Sequence, residues 1–197
     1  MQRLIWNFEF IAAKKIPPKY FKAKEHEQLK WEARYFWPAD NIIQLAAIDI
    51  SLLDIANYQQ KHREDEYYLL PDCDFNIKKR RDELLYKPLI EHSKQVYGFG
   101  AKINLLDEHP NNLELLANVK SNGLRVLVKK EAFIYKFNTK PTVKLELSRI
   151  ELCDDVYFSL CIEGKSRELV KGLSGLILGK AISCNYVSFL KNVLYHV

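Results

Sequence analysis

The sequence predicts an α+β fold built around a large antiparallel sheet. Three observations carry that prediction. The runs 124–137, 143–152 and 156–164 follow one another closely and each alternates apolar with polar residues, the period of a half-buried strand. Asn138 to Pro141 and Asp154-Asp155 supply turn residues between them, which makes hairpins of neighbours. Helical signals stand apart from this block, as expected when helices pack on a sheet rather than alternate with its strands.

Taken in order, residues 1–28 are the most irregular part. They form an N-terminal extension, an arm or an added strand and helix packed on the main fold. "LKWEARYFW" (29–37) reads as the first strand of a single domain spanning 29–197. Asp40 then caps an apolar stretch, 41–59, expected to contain a helix, with Asp49 or Ser51 as a possible second start. "DEYYLL" (65–70) is a strand. "FNIKKRR" and "LLYKPLI" form a hairpin around Asp82-Glu83, and 98–105 is another short strand. Residues 111–120 follow Pro110 and stop before Gly123, the start and stop signals of a helix. After the three late strands, Lys165 or Ser166 opens a helical tail that closes with "YVSFLKNVLYHV".

Composition narrows the function classes. Thirty Lys and Arg against 25 Asp and Glu leave a net charge of +5, a balance that favours anionic partners and is too mild to argue for nucleic acid. No apolar run approaches the roughly 20 residues of a membrane span, and the N-terminus lacks the pattern of a secretory signal. Cys73, Cys153, Cys161 and Cys184 show neither CxxC spacing nor a dense framework, so a reduced, cytoplasmic chain is the simplest reading. The five histidines sit in polar or terminal contexts with no H-x-x-x-H, and read as surface residues. "KKRR" (78–81) resembles a nucleic-acid patch, but within a strand its charges alternate between faces.

Each strand has an unusually charged polar face. Lys30, Glu32 and Arg34 share one, Lys78 and Arg80 another with Lys87 on the partner strand, Lys144 and Glu146 a third, and Tyr157, Ser159 and Glu163 a fourth. Two accounts fit. Such faces are solvated, where long charges deter edge-to-edge association. Or they line a lumen in which cations and carboxylates neutralise each other and bind an anion.

In their order along the chain, the pieces of residues 29–197 resemble the CYTH superfamily, the triphosphate tunnel metalloenzymes. "LKWEARYFW" is similar to the family's opening ExExK strand, and "REDEYYLLPDCDFNIKKRRDELLYK" to its tyrosine strand, R-x-R strand and following Lys. "LELLANVKSNGLRVLVKKEAFIY" resembles the helix, glycine turn and basic strand, and "VKLELSRIELCDDVYFSLCIEG" the late pair that carries two glutamates. "NYVSFLKNVL" is similar to the closing helix. The resemblance implies an antiparallel barrel of about eight strands, closed or nearly closed into a tunnel, with helices packed outside and a triphosphate-containing small molecule as ligand. It implies phosphate-binding roles for Arg34, Lys78, Arg80, Lys87 and Lys129. Glu32, Glu146 and Glu163 would hold Mg²⁺ or Mn²⁺ in a metal-dependent triphosphatase. Lys30 stands where the family's first Glu does, and Glu131 where a second basic residue is expected after Lys129. These departures open the alternative of a non-catalytic phosphate-ligand sensor or protein-interaction module on the same fold.

Overall fold

The computed structural model describes residues 2–12, 28–107 and 109–195. Its main sheet contains β3 (Lys30–Pro38), β5 (Gln59–Leu69), β6 (Asn76–Arg80), β7 (Glu83–Lys87), β8 (Leu89–His92), β9 (Tyr97–Phe99), β10 (Ile103–Asn104), β11 (Leu124–Lys136), β12 (Val143–Leu152) and β13 (Asp155–Gly164). Their order is β10-β7-β6-β5-β11-β12-β13-β3-β9-β8, antiparallel throughout. The two ends of this order are one hairpin. β7 and β8 run on from each other through Pro88, and β9 leads back into β10. Ile103 pairs with Tyr86, Gly100 donates its N–H to the Pro88 carbonyl at 2.9 Å, and Phe99 pairs with Leu89. The hairpin therefore lies beside β6 along one half and beside β3 along the other. Counting β7–β8 and β9–β10 as two bent strands, eight strands close on themselves, as the resemblance implied.

Turn chemistry sets the registers. Arg80 pairs with Glu83, so the two loop residues are Arg81 and Asp82, one position earlier than expected, and Arg81 takes φ 55°. Leu152 pairs with Asp155, leaving Cys153 (φ 50°) and Asp154 (φ 69°) as the loop. Two left-handed residues in a two-residue loop match the right-handed twist of the flanking strands.

Among the described residues, three α-helices attach to the barrel. α1 (Pro110–Asn122) ends on Gly123 and packs Val119 with Ile77, Leu84 and Leu105 outside β6 and β7. α2 (Arg167–Leu178), capped by the Ser166 side chain on the Leu169 N–H, lies outside β3 and β13. α3 (Tyr186–Tyr195) departs from the expectation of helices outside. Its Tyr186, Val187, Phe189 and Leu190 join Tyr67, Leu69, Val126, Val128, Ile150 and Leu152 in one buried cluster, which fills one end of the barrel.

The stretch 41–59 corrects the expected helix. Ile43, Leu45 and Ala47 alternate inward as β4 (Ile43–Ala47), which runs parallel to β2 (Phe8–Ala12) beside β1 (Gln2–Ile5). Two 3-10 turns follow, capped by Asp49 and Asp54. The period was two rather than 3.6, and the buried partners were Phe8 and Phe10, remote in sequence. These two rings, 0% and 1% exposed, lie in the same core as Trp31, Leu147, Leu160 and Leu173, so β2 is packed against the barrel wall. The helix expected within the N-terminal extension lies outside the described residues.

A charged, blind-ended lumen as the candidate site

Inside the barrel above the α3 cluster lies a cavity of about 310 Å³. It is lined by Lys30, Glu32 and Arg34 of β3; Gln59, Lys61, Arg63 and Tyr67 of β5; Asn76, Lys78 and Arg80 of β6; and Leu85 and Lys87 of β7. Lys102, Lys130, Ile134, Lys136, Lys144, Glu146, Glu163 and Tyr186 complete the wall. The alternation that buries Trp31, Ala33 and Tyr35 outward under α2 and the small sheet turns Lys30, Glu32 and Arg34 inward. The wet faces of these strands are thus the inside of the barrel, and Glu163 faces the lumen rather than bulk solvent.

Seven of the eight residues singled out from the sequence line this cavity: Glu32, Arg34, Lys78, Arg80, Lys87, Glu146 and Glu163. Lys129 does not. It is exposed and borders shallow outer grooves with Arg149 and Glu151, while Lys130 enters the lumen. Val126 and Val128 are buried facing α3, and period two carries that face to Lys130, Ala132 and Ile134. The phase of the two valines was the available signal. Lys61 and Arg63 were missed because the strand was read as starting at Asp65, whereas β5 begins at Gln59. Tyr186 could not be placed from the sequence, because nothing local says that a helix enters a barrel end.

The lumen charges form two tiers. The inner tier is paired. Glu146 accepts from Lys130 at 2.9 Å and Arg34 at 3.3 Å, with Arg63 at 3.9 Å. Glu32 is bonded to Lys87 and lies 4.0 Å from Arg34. Asp65 accepts from Lys78 at 2.8 Å and from two Arg80 nitrogens at 2.6 Å each. Nearer the strand ends, Lys30 meets Glu163 at 2.7 Å. The outer tier has no such partners: among the described residues, Lys61, Lys102, Lys136 and Lys144 make no ion pair. The strand register places Lys136 directly opposite Lys144, and Lys61 beside Ala132, four residues along β11 from Lys136.

Protonation follows this layout. Burial by itself would raise the Glu32 carboxyl, but Lys87, then Arg34 and Lys30, overcome it and hold the group at about 2. Asp65 is likewise held at about 2 against burial by Arg80 and Lys78, and Glu146 is held far below the usual range by Lys130, Arg34 and Arg63. Lys78 moves the other way. Burial, then the neighbouring charges of Arg80 and Lys130, outweigh Asp65 and bring its ammonium down to about 7. Lys102 is lowered by burial and by Arg80, Lys30, Lys87 and Arg63.

The floor is aromatic. The Arg34 guanidinium lies 5.2 Å from the Tyr186 ring centre and Lys78 lies 5.4 Å from that of Tyr67, cation–π distances that let cations sit in a dry end. Elsewhere, His62, His92 and His109 are exposed, as read from the sequence, and all four cysteines are free thiols. Among the described residues no helix is long and apolar enough to cross a membrane.

Neither a protein-family model nor a curated relative matches the sequence. Among solved structures, the chain is similar to one from Bacillus halodurans described as a "putative adenylate cyclase". The two share 10% identity over 80% of this chain and 96% of that chain, with a TM-score of 0.41.

Proposed function

We propose that this chain is a CYTH-like barrel that binds an oligophosphate-type anion end-on in its lumen, as a ligand-binding module. One observation carries the reading. Among the described residues, eleven Lys and Arg line the cavity against three glutamates and the nearby Asp65, a formal excess of seven positive charges in a chain whose whole net charge is +5. Four of those lysines have no carboxylate to answer them. Concentrated unpaired ammonium groups around a small concave space favour a compact ligand with several negative charges. The inner tier fixes the cavity's shape, and the outer tier supplies the attraction.

The catalytic alternative has less support, because each carboxylate that hydrolysis would enlist is bonded to a lysine or arginine. The test is a thermal-shift and calorimetric series with inorganic phosphate, pyrophosphate and tripolyphosphate, using sulfate as the control. A ligand that binds only the folded state raises Tm by mass action. Tripolyphosphate is expected to stabilise most, and Lys61→Ala with Lys144→Ala to weaken it by about tenfold or more, since charge-assisted contacts are worth about 1.5–3 kcal/mol each. Equal, weak shifts from all four anions would overturn the reading.

A further inference from the structure

The three lumenal glutamates raise the question of a metal ion, and their surroundings answer it. Mg²⁺ and Mn²⁺ are hard ions that need several oxygen ligands converging on one point. Among the described residues, no three His, Cys, Asp or Glu side chains are grouped so as to hold one. Glu32 and Glu163 do stand opposite each other in the register of β3 and β13, among the described residues the one place where two carboxylates face across a ladder. That pair would be the natural nucleus of a metal site. Instead each carboxylate has its own ammonium, Lys30 on Glu163 at 2.7 Å and Lys87 on Glu32, while Glu146 of β12 is held by Lys130 of β11 and Arg34 of β3. Like charges a few ångströms apart repel strongly where water is partly excluded, and a divalent ion doubles that repulsion relative to a single charge. A dication would have to displace these ammonium groups and then remain among them.

We infer that the lumen takes its anion without a divalent cation, Lys30 and Lys87 holding the positive charge beside Glu163 and Glu32 that a metal would otherwise supply. This rests on the oligophosphate reading above, and it deepens that reading by naming the ligand as the uncomplexed anion. Lys30 and Lys87 come from different strands and approach the facing glutamates separately, so each carboxylate is neutralised in place. The phosphate oxygens are then met by ammonium and guanidinium donors alone.

Two measurements test this apart. In the first, free Mn²⁺ is followed by electron paramagnetic resonance as purified protein is added without phosphate. No loss of the free-ion signal is expected from the natural chain, whereas Lys30→Glu, and the milder Lys30→Met, are expected to take up Mn²⁺. Uptake by the natural chain that Glu32→Gln abolishes overturns the inference, whatever the protein does with phosphate. In the second, calorimetry with inorganic tripolyphosphate is run in a chelator and again with excess Mg²⁺. Binding is expected in the chelator, and Mg²⁺ is expected to weaken it by about tenfold, the equivalent of one charge-assisted contact. Binding that appears only with Mg²⁺ overturns the inference and leaves the oligophosphate reading standing. No binding in either buffer removes both.

Discussion

Lys78 donates to Asp65 at 2.8 Å, yet its ammonium is held at about 7 because burial and the neighbouring Arg80 and Lys130 oppose the charge that Asp65 favours. The free lumen therefore has a lysine poised to gain a proton when an anion arrives. Above about pH 7 the unliganded group is largely neutral, so binding there should draw a proton in. Calorimetry near pH 8, about one unit above that value, in buffers of different ionisation enthalpy should show net uptake with tripolyphosphate. Uptake should fall in Lys78→Gln. An identical count in both proteins would show that Lys78 does not change its protonation on binding.

The same lysine and the buried carboxylates act on stability in opposite windows. Glu32 has a folded-state value of about 2 against an ordinary 4.5, so its contribution is present above pH 4.5 and is lost as pH falls toward 2. Lys78, at about 7 against an ordinary 10.5, binds fewer protons in the folded state between those values, and its penalty is full below 7. Denaturant midpoints should therefore drop steeply on acidification below pH 4.5. Glu32→Gln should flatten that drop and should cost about 3–5 kcal/mol at neutral pH by leaving Lys87 inside without its partner.

Neighbouring lysines on β11 should behave differently. Lys130→Ala removes a donor to Glu146 and a lumenal charge, so both Tm and tripolyphosphate affinity should fall. Lys129→Ala touches an exposed position and should change stability by no more than about 0.5 kcal/mol, with affinity unaltered. Equal effects on binding would mean that the phase of β11 has been misplaced.

Barrel closure depends on a close approach at Gly98. A methyl group there would lie 2.8 Å from the Trp31 ring, and Trp31 is 2% exposed in the core. Gly98→Ala should cost about 1–3 kcal/mol through overpacking, seen as a lowered urea midpoint. Its effect on affinity should be indirect, because neither residue lines the lumen.

Much of this was legible from alternation. β3, β6, β7, β12 and β13 announced their faces through period two, and seven lumenal charges followed from it, whereas on β11 the exposed Lys129 was taken for the lumenal Lys130. Alternation does not say which side of a curved sheet is concave, so solvated face and lumen remained equivalent until closure was known. Closure depends on the hairpin of β7–β8 with β9–β10, whose pieces are two to five residues long and pair across the two ends of the sheet. Nor could β4 be recognised without β2: Ile43, Leu45 and Ala47 read as helix until the parallel partner at Phe8 to Ala12 supplies the ladder. The surroundings of the three glutamates were not legible for another reason. Residue type at a position does not say which neighbour reaches it, and here Lys30, Lys87 and Lys130 bond the carboxylates of Glu163, Glu32 and Glu146.

Among the described residues, the helix seated in one end of the barrel leaves the cavity open at the other. On the reading proposed above, a ligand would enter and leave by that one opening, so the lumen would admit termini and refuse middles. On that reading a nucleic-acid backbone, or any polymer gripped along its length, would be stopped by Tyr186 and Phe189, however well its phosphates matched the lysines. A short chain with a free phosphate end would enter headfirst, and whatever it is attached to would stay outside at the rim. Two molecules that share such an end and differ only in what trails behind should compete for the same place.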